Sequence, residues 1–182
     1  MKLPPPRRLR GLDAGWCLAA NRACSGGLAR PLFAAISRLG DGVFWYALIA
    51  ALMLLGGSRG LQAGIHLCGT GIASLLLYRG LKQHTRRPRP CAADRRIELW
   101  VAPLDEFSFP SGHTLHAVAF TLVTLAYFPL LAWLLIPFTA GVAASRVALG
   151  LHYPSDVAAA TVLGGVLAAV SIWLVPGVSL TR

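Results

Sequence analysis

At 182 residues the chain is long enough for one domain, and 55% of it is hydrophobic against 13% charged, with a mean hydropathy of +0.61. A soluble domain carries about 25% charged residues, so these values exclude an ordinary soluble enzyme and point to an all-α polytopic membrane helix bundle. The net charge of +10 is clustered without aromatic platforms on a soluble face, which fits anionic lipid headgroups or a phosphorylated substrate and argues against nucleic acid.

In chain order, residues 1–41 read as a basic N-terminal segment with interfacial helices and 42–182 as a transmembrane domain that carries the chemistry. Residues 1–11 are basic and proline-rich (Pro4, Pro5, Pro6) and read as extended or disordered. The stretch after Arg10 is interrupted by Asp13 and Asn21 and lacks the clean apolar core of a secretory leader. Residues 12–38 mix apolar side chains with Arg22, Arg30 and Arg38. That pattern predicts two short helices along the membrane surface, broken near Gly26 and Gly27.

Val43 to Leu55 is wholly apolar and predicts the first span, short but extendable at its flanks, with Trp45 and Tyr46 as interface anchors. Gly60 to Leu81 predicts the second, with small residues for close packing and His66 as a helix–helix hydrogen bonder. Thr114 to Ser145 runs without a charge. As one helix it would be about 48 Å long, so Pro129 is the expected break between two antiparallel spans. Val157 to Val175 predicts the fifth, stopped by Pro176 and Gly177. Five alternating spans bring the loops at 82–112 and 146–155 to the same membrane face. No disulfide is expected among Cys17, Cys24, Cys68 and Cys91.

Those two loops hold the chemistry-bearing residues. The first opens with Lys82-Gln83-His84-Thr85-Arg86-Arg87-Pro88-Arg89-Pro90 and closes with Phe109-Pro110-Ser111-Gly112-His113. The opening puts fixed cations at a helix end. The close starts a helix whose free N–H groups can face an anion. The second runs Ser145-Arg146 to His152-Tyr153-Pro154-Ser155-Asp156. If a helix begins near Pro154, Asp156 lies in its first turn and can accept a hydrogen bond from one nitrogen of His152, leaving the other nucleophilic. Arg146 adds a planar fork of donors suited to phosphate. Arg86, Arg87, Arg95 and Arg96 read as guides for headgroups or the substrate tail, and His84 as a solvated loop residue. Asp105 and Glu106 would repel a phosphate and are expected at the rim. His116 and Tyr153 are candidates to line the site.

The three stretches, Lys82-x6-Arg89-Pro90, Pro110-Ser111-Gly112-His113 and Ser145-Arg146-x5-His152-x3-Asp156, resemble in order and spacing the signature motifs of the type 2 phosphatidic acid phosphatase (PAP2) family. Vanadium-dependent haloperoxidases and bacterial acid phosphatases share them. The resemblance covers about residues 42–175. It departs at the N-terminus, where larger members have an additional spanning helix.

The resemblance implies a metal-independent lipid phosphatase without a cofactor. His152 would attack phosphorus to form a phosphohistidine, Asp156 would orient it, and His113 would protonate the leaving oxygen and then activate water. Lys82, Arg89, Ser111, Gly112 and Arg146 would bind the phosphate oxygens. Candidate substrates are undecaprenyl pyrophosphate, phosphatidylglycerophosphate, phosphatidic acid and the lipid A phosphate, with a lean toward the first because the short chain resembles compact bacterial members. A lipid-to-lipid phosphotransferase uses the same intermediate and stays as the alternative. A haloperoxidase, and a transporter or lipid-binding protein without activity, are more remote. Lysine and arginine counts put the motif face in the cytoplasm; the resemblance puts it on the outer side of a bacterial inner membrane. No feature of the sequence speaks to oligomeric state.

Overall fold

The computed structural model describes residues 7–175, and among them the secondary structure is helical throughout. Helix α1 spans Arg7–Ala23, α2 Ala29–Arg38, α3 Phe44–Leu55, α4 Gly57–Thr85, α5 Pro90–Ala93, α6 Gly112–Tyr127, α7 Ala132–Ala148 and α8 Pro154–Leu174. The extended reading of residues 1–11 lies outside the described residues up to residue 6, and from Arg7 onward the chain is helical. The stop at Pro176 and Gly177 also lies outside them.

The break at Gly26 and Gly27 is present, with Gly27 at φ 62° in the turn between α1 and α2. Helix α2 does not stand apart from the first span, however. It continues into α3 through a π-helical turn, Leu39–Val43, kinked at Gly42 (φ 145°). Ala29–Leu55 is therefore one 27-residue stretch long and apolar enough to cross a membrane. The apolar side chains of α2 extend the short run 43–55 upstream, which hydropathy read over residues 12–38 had merged with surface helices.

Gly57–Ala93, Pro129–Ala148 and Pro154–Leu174 also have the length and composition to cross. Together with α6, which has only 16 residues and is lined on most sides by protein, they form the bundle of a multi-pass membrane protein. Helix α6 packs against α4, α7 and α8, and α3 packs against α4. The core is built from Trp45, Leu67, Phe120, Val123, Tyr127, Leu135 and Val142. A helix surrounded by other helices needs no lipid-matched length, because its backbone and side chains are satisfied by its neighbours. Within this layer His66 Nδ1 and the Tyr127 hydroxyl lie 3.0 Å apart, the interhelical bond expected of that histidine.

Helix termini follow local chemistry. Phe128 and Pro129 end α6 and start a short 3-10 turn, since proline has no N–H to continue the ladder. Leu149 and Gly150 end α7. Gly150 sits at φ +73°, and a Cβ there would lie 2.6 Å from the Glu98 carbonyl oxygen. Pro154 occupies the first turn of α8, whose first-turn N–H groups are unbonded in any case. Helix α4, 29 residues and about 43 Å long by its rise per residue, exceeds the roughly 30 Å hydrocarbon core. Its last turns, with Lys82, therefore reach past the span.

Candidate active site

Lys82 at the end of α4, Arg89 ahead of α5, Gly112 and His113 opening α6, Arg146 near the end of α7 and His152 before α8 all line one cavity of about 690 Å³. Five polypeptide segments thus converge at one end of the bundle. Ser111 and Asp156 do not line the cavity. The Ser111 hydroxyl turns inward as the N-cap of α6, 3.0 Å from Thr114 Oγ1 and 3.4 Å from the Thr114 N–H. It is spent on holding the helix start, not on the cavity.

His152 is 1% exposed. Its Nδ1 lies 2.6 Å from the Ser108 carbonyl oxygen. A carbonyl only accepts, so Nδ1 carries the proton and Nε2 keeps its lone pair. Nε2 lies 3.4 Å from an Arg89 guanidinium nitrogen. Burial, together with the charges of Arg146, Arg89 and Lys82, pushes the imidazole well below its ordinary pKa. The ring is neutral near pH 7 and its free nitrogen is competent as a nucleophile.

This corrects the expected orienting partner. Asp156 stands 3.7 Å from Nδ1, too far for a hydrogen bond. Its Oδ2 accepts the Tyr153 N–H (2.9 Å) and its Oδ1 accepts from Arg87 (2.7 Å). The carboxylate caps α8 and offers the imidazole a nearby negative charge, while a backbone carbonyl fixes the tautomer. Arg87 is likewise no headgroup guide. It bridges Asp156 to Asp13 (2.5 Å) in α1 and lies over the Tyr153 ring at 4.0 Å. Tyr153 is therefore part of the support behind His152, and the cavity is lined without it.

Helix α1 completes this support. Asn21 is buried and clamps two segments: its amide nitrogen donates to Glu98 O (3.0 Å) and Ala148 O (2.9 Å), and its oxygen accepts the Glu98 N–H (3.0 Å). The Cys17 thiol faces the His152 carbonyl at 3.7 Å, and burial raises it to about 12, so it is an unreactive filler. All four cysteines are free.

The cations show a second correction. Asp105, its side chain 37% exposed, does not stand clear of the cations: both its oxygens are 2.6 Å from Lys82 Nζ, and Oδ1 is 2.7 Å from Arg89. Burial alone would raise its pKa, but the hydrogen bonds and charges of Lys82 and Arg89 outweigh it and hold the carboxyl below the usual range. An anion already occupies two of the three cations. The third, Arg146, is 3% exposed; it donates from Nη1 to Ser37 Oγ, and its Nε has no partner. A buried guanidinium N–H without an acceptor is costly. Among the described residues no group of three or more His, Cys, Asp or Glu is placed to hold a metal ion.

The cavity is not only polar. Beyond the cations it runs between α3 and α4 past Tyr46, Ile49, Met53, Ile72 and Leu75, and Gly71 and Cys68 open its wall. Tyr46 and Ile72 are exposed on this side. His116 lines the same wall and lies within reach of the Gly112 and Gly71 carbonyls (3.1 and 3.3 Å). His84 belongs to the last turn of α4 and not to a loop.

The residues that sequence reasoning missed are Asp41, Ser37, Asn21, Asp13 and Ser108. Asp41 carried a signal, as the one acid between two glycines in an apolar stretch. Ser108 acts through its carbonyl oxygen, which no side-chain pattern reveals.

A family profile described as the PAP2 superfamily matches residues 63–179. Undecaprenyl-diphosphatase BcrC of Bacillus subtilis (strain 168) is 31% identical, with 70% of this chain and 63% of that protein covered. Phosphatidylglycerophosphatase B of Escherichia coli (strain K12) is 37% identical over 37% of this chain and 29% of its own length. The chain thus spans less than two thirds of either relative. A transmembrane PAP2-type phosphatidylglycerolphosphate phosphatase from Bacillus subtilis superposes with a TM-score of 0.76 at 22% identity, over 98% of this chain and 91% of that one. Aquifex aeolicus LpxE superposes with a TM-score of 0.75 at 23% identity, over 89% of this chain and 95% of that one. At such identity the superpositions speak to the fold.

Proposed function

The chain belongs to the PAP2 superfamily, and from that premise we propose that it is a membrane-embedded lipid phosphatase working through a phosphohistidine at His152. The observation that carries the proposal is the continuity of one cavity, cationic at one end of the bundle and apolar between α3 and α4. A phosphate group fits the first part and a hydrocarbon tail the second.

The phosphate displaces the Asp105 carboxylate from Lys82 and Arg89 and is held as well by the charge of Arg146, which lines the same cavity. The Gly112 N–H, at the start of α6, faces the same oxygens. His152 Nε2 attacks phosphorus, and the bond to the leaving oxygen breaks with its electron pair going to that oxygen. His113 delivers the proton that neutralises it. In the second step His113 takes a proton from water, the water oxygen attacks phosphorus, and the P–N bond breaks to return the lone pair to Nε2. Asp156, 3.7 Å from the ring, offsets the positive charge the imidazole bears while phosphorylated. Three cations do the electrostatic work elsewhere assigned to a metal ion.

The substrate is a lipid phosphate or pyrophosphate: undecaprenyl pyrophosphate first, then phosphatidylglycerophosphate, phosphatidic acid or a lipid A phosphate. The names of BcrC and phosphatidylglycerophosphatase B support that range. The protein acts in a bacterial inner membrane with its site on the periplasmic side. Transfer to a second lipid in place of water is the alternative outcome of the same intermediate. Purified protein should release phosphate from these lipids with EDTA present and trap an acid-labile phosphoprotein. A strict metal requirement contradicts the mechanism, and a phosphorylated acceptor lipid as the main product favours the transferase.

A further inference from the structure

His113, the second histidine of the site, has a partner that none of the three motifs contains. Its Nε2 is hydrogen-bonded to Asp41 Oδ1, and both residues line the cavity. Asp41 is the only acid in the 27-residue stretch Ala29–Leu55. A carboxylate inside such a stretch is costly and calls for a partner and a use.

The backbone around it is built for that placement. The turn Leu39–Val43 joins two helices across a kink at Gly42, whose φ of 145° is not helical, so the chain does not run on as one regular helix here. Gly40 lets the turn approach α7, since a Cβ there would meet Val142 at 3.1 Å. Gly42 takes φ 145°, and a Cβ there would lie 2.7 Å from the Tyr46 ring. The sequence Gly40-Asp41-Gly42 thus turns one carboxylate toward the mouth of the cavity.

We propose that Asp41 is the positioning residue of His113: it holds the ring through Nε2 and offsets the charge of its protonated form, so that Nδ1 serves the leaving oxygen. The proposal rests on the phosphatase reading above and assigns the general acid its support. Lys82 from α4 and Arg146 from α7 act on His113 electrostatically, and Arg89, Asp105 and His152 line the same cavity. The cations among these repel an added proton. The Asp41 carboxylate, in direct contact, opposes them. When the leaving group departs, the proton moves from His113 to the leaving oxygen as that oxygen takes the P–O electron pair. A poor leaving group, such as an alkoxide, needs that proton. A good one, such as a nitrophenolate, leaves without it.

The test compares His152 phosphorylation in single turnovers from an alkyl phosphate and from a nitrophenyl phosphate. Asp41→Asn should slow phosphorylation by the alkyl ester roughly 10- to 100-fold, within the usual worth of general acid catalysis, and by the aryl ester less than about 3-fold on the same scale. Asp41→Glu, which keeps the charge, should recover part of the loss on the alkyl ester. Should the Asn variant fail to fold, the Glu variant must still show the unequal loss. Equal losses on the two esters, or none, overturn the role of Asp41 while the phosphatase reading stands. Absence of any phosphohistidine in the unaltered protein overturns both.

Discussion

The two walls of the cavity are built by opposite rules. On the His152 wall nearly every polar atom is tied down. His152 is fixed at Nδ1 by Ser108 and at its backbone N–H by the Arg146 carbonyl (3.0 Å). Behind it, Asp156, Arg87 and Asp13 form a chain of ion pairs from α8 to α1. On the facing side, which runs from the cation cup into the groove between α3 and α4, polar groups are left less fully tied. Lys82 and Arg89 hold the carboxylate of Asp105, which is 37% exposed, Arg146 Nε lacks a partner, and the space beyond is lined by apolar side chains. The contrast separates two demands: a reacting atom must be preorganised, whereas a binding surface must keep its hydrogen-bonding capacity for the ligand.

Substitutions on each wall should break this contrast in different ways. The largest effect belongs to the nucleophile. His152→Ala should lower turnover by about 10⁴-fold or more, the scale seen when a covalent nucleophile is removed, and abolish phosphoprotein trapping; retained activity would end the assignment. Next is its support. Arg87→Met leaves the buried Asp156 carboxylate without its charge partner, a loss of about 3 kcal/mol, to be read as a melting midpoint in detergent lower by roughly 10 °C. Asp13→Asn should move in the same direction by less, and an unchanged midpoint in both variants would remove α1 from the catalytic scaffold.

The facing wall should respond in specificity before stability. At Gly71 even a Cβ would lie 3.0 Å from Phe120 Cζ. Gly71→Leu should therefore reduce kcat/KM for a long-chain lipid phosphate about 10-fold more than for a short soluble ester, the worth of one or two methylenes in a fitted pocket. Equal losses would mean that the groove between α3 and α4 does not hold the tail.

The smallest effect is on pH dependence. The His152 pKa in the folded protein lies well below 6.5, its value when unfolded. Below 6.5 the unfolded state binds a proton that the folded state refuses, so stability is lost as pH falls through that window, up to about 1.4 kcal/mol per unit. Midpoints recorded from pH 7 to 5 should fall less steeply in His152→Gln; an identical slope would show that the imidazole is not held neutral.

Much of the site was legible because the cations and histidines lie in compact stretches at helix ends, where residue type and spacing carry the information. Lys82, Arg89, Gly112, His113, Arg146 and His152 reach one cavity as their motifs suggested. The roles given to Asp156, Ser111, Arg87 and Asp105 were not legible, since each depends on which of several acceptors within reach a side chain takes. Asp105 was assigned to the rim on the argument that it repels phosphate. The same charge is what draws it onto Lys82 and Arg89.

The sequence by itself determined the membrane class, the break at Pro129, the placement of His152 and Asp156 around the start of α8, and the set of groups able to handle a phosphate. These follow from hydropathy, from proline's missing N–H and from side-chain chemistry, all of which are local. The tertiary structure decided that α2 joins α3 through a kinked turn, that Asp41 meets His113, and that Asp13 and Asn21 from α1 brace the segment around His152 about 130 residues away. Such pairings arise only when separate helices pack, because burial then forces each polar group to find a partner wherever the fold has brought one.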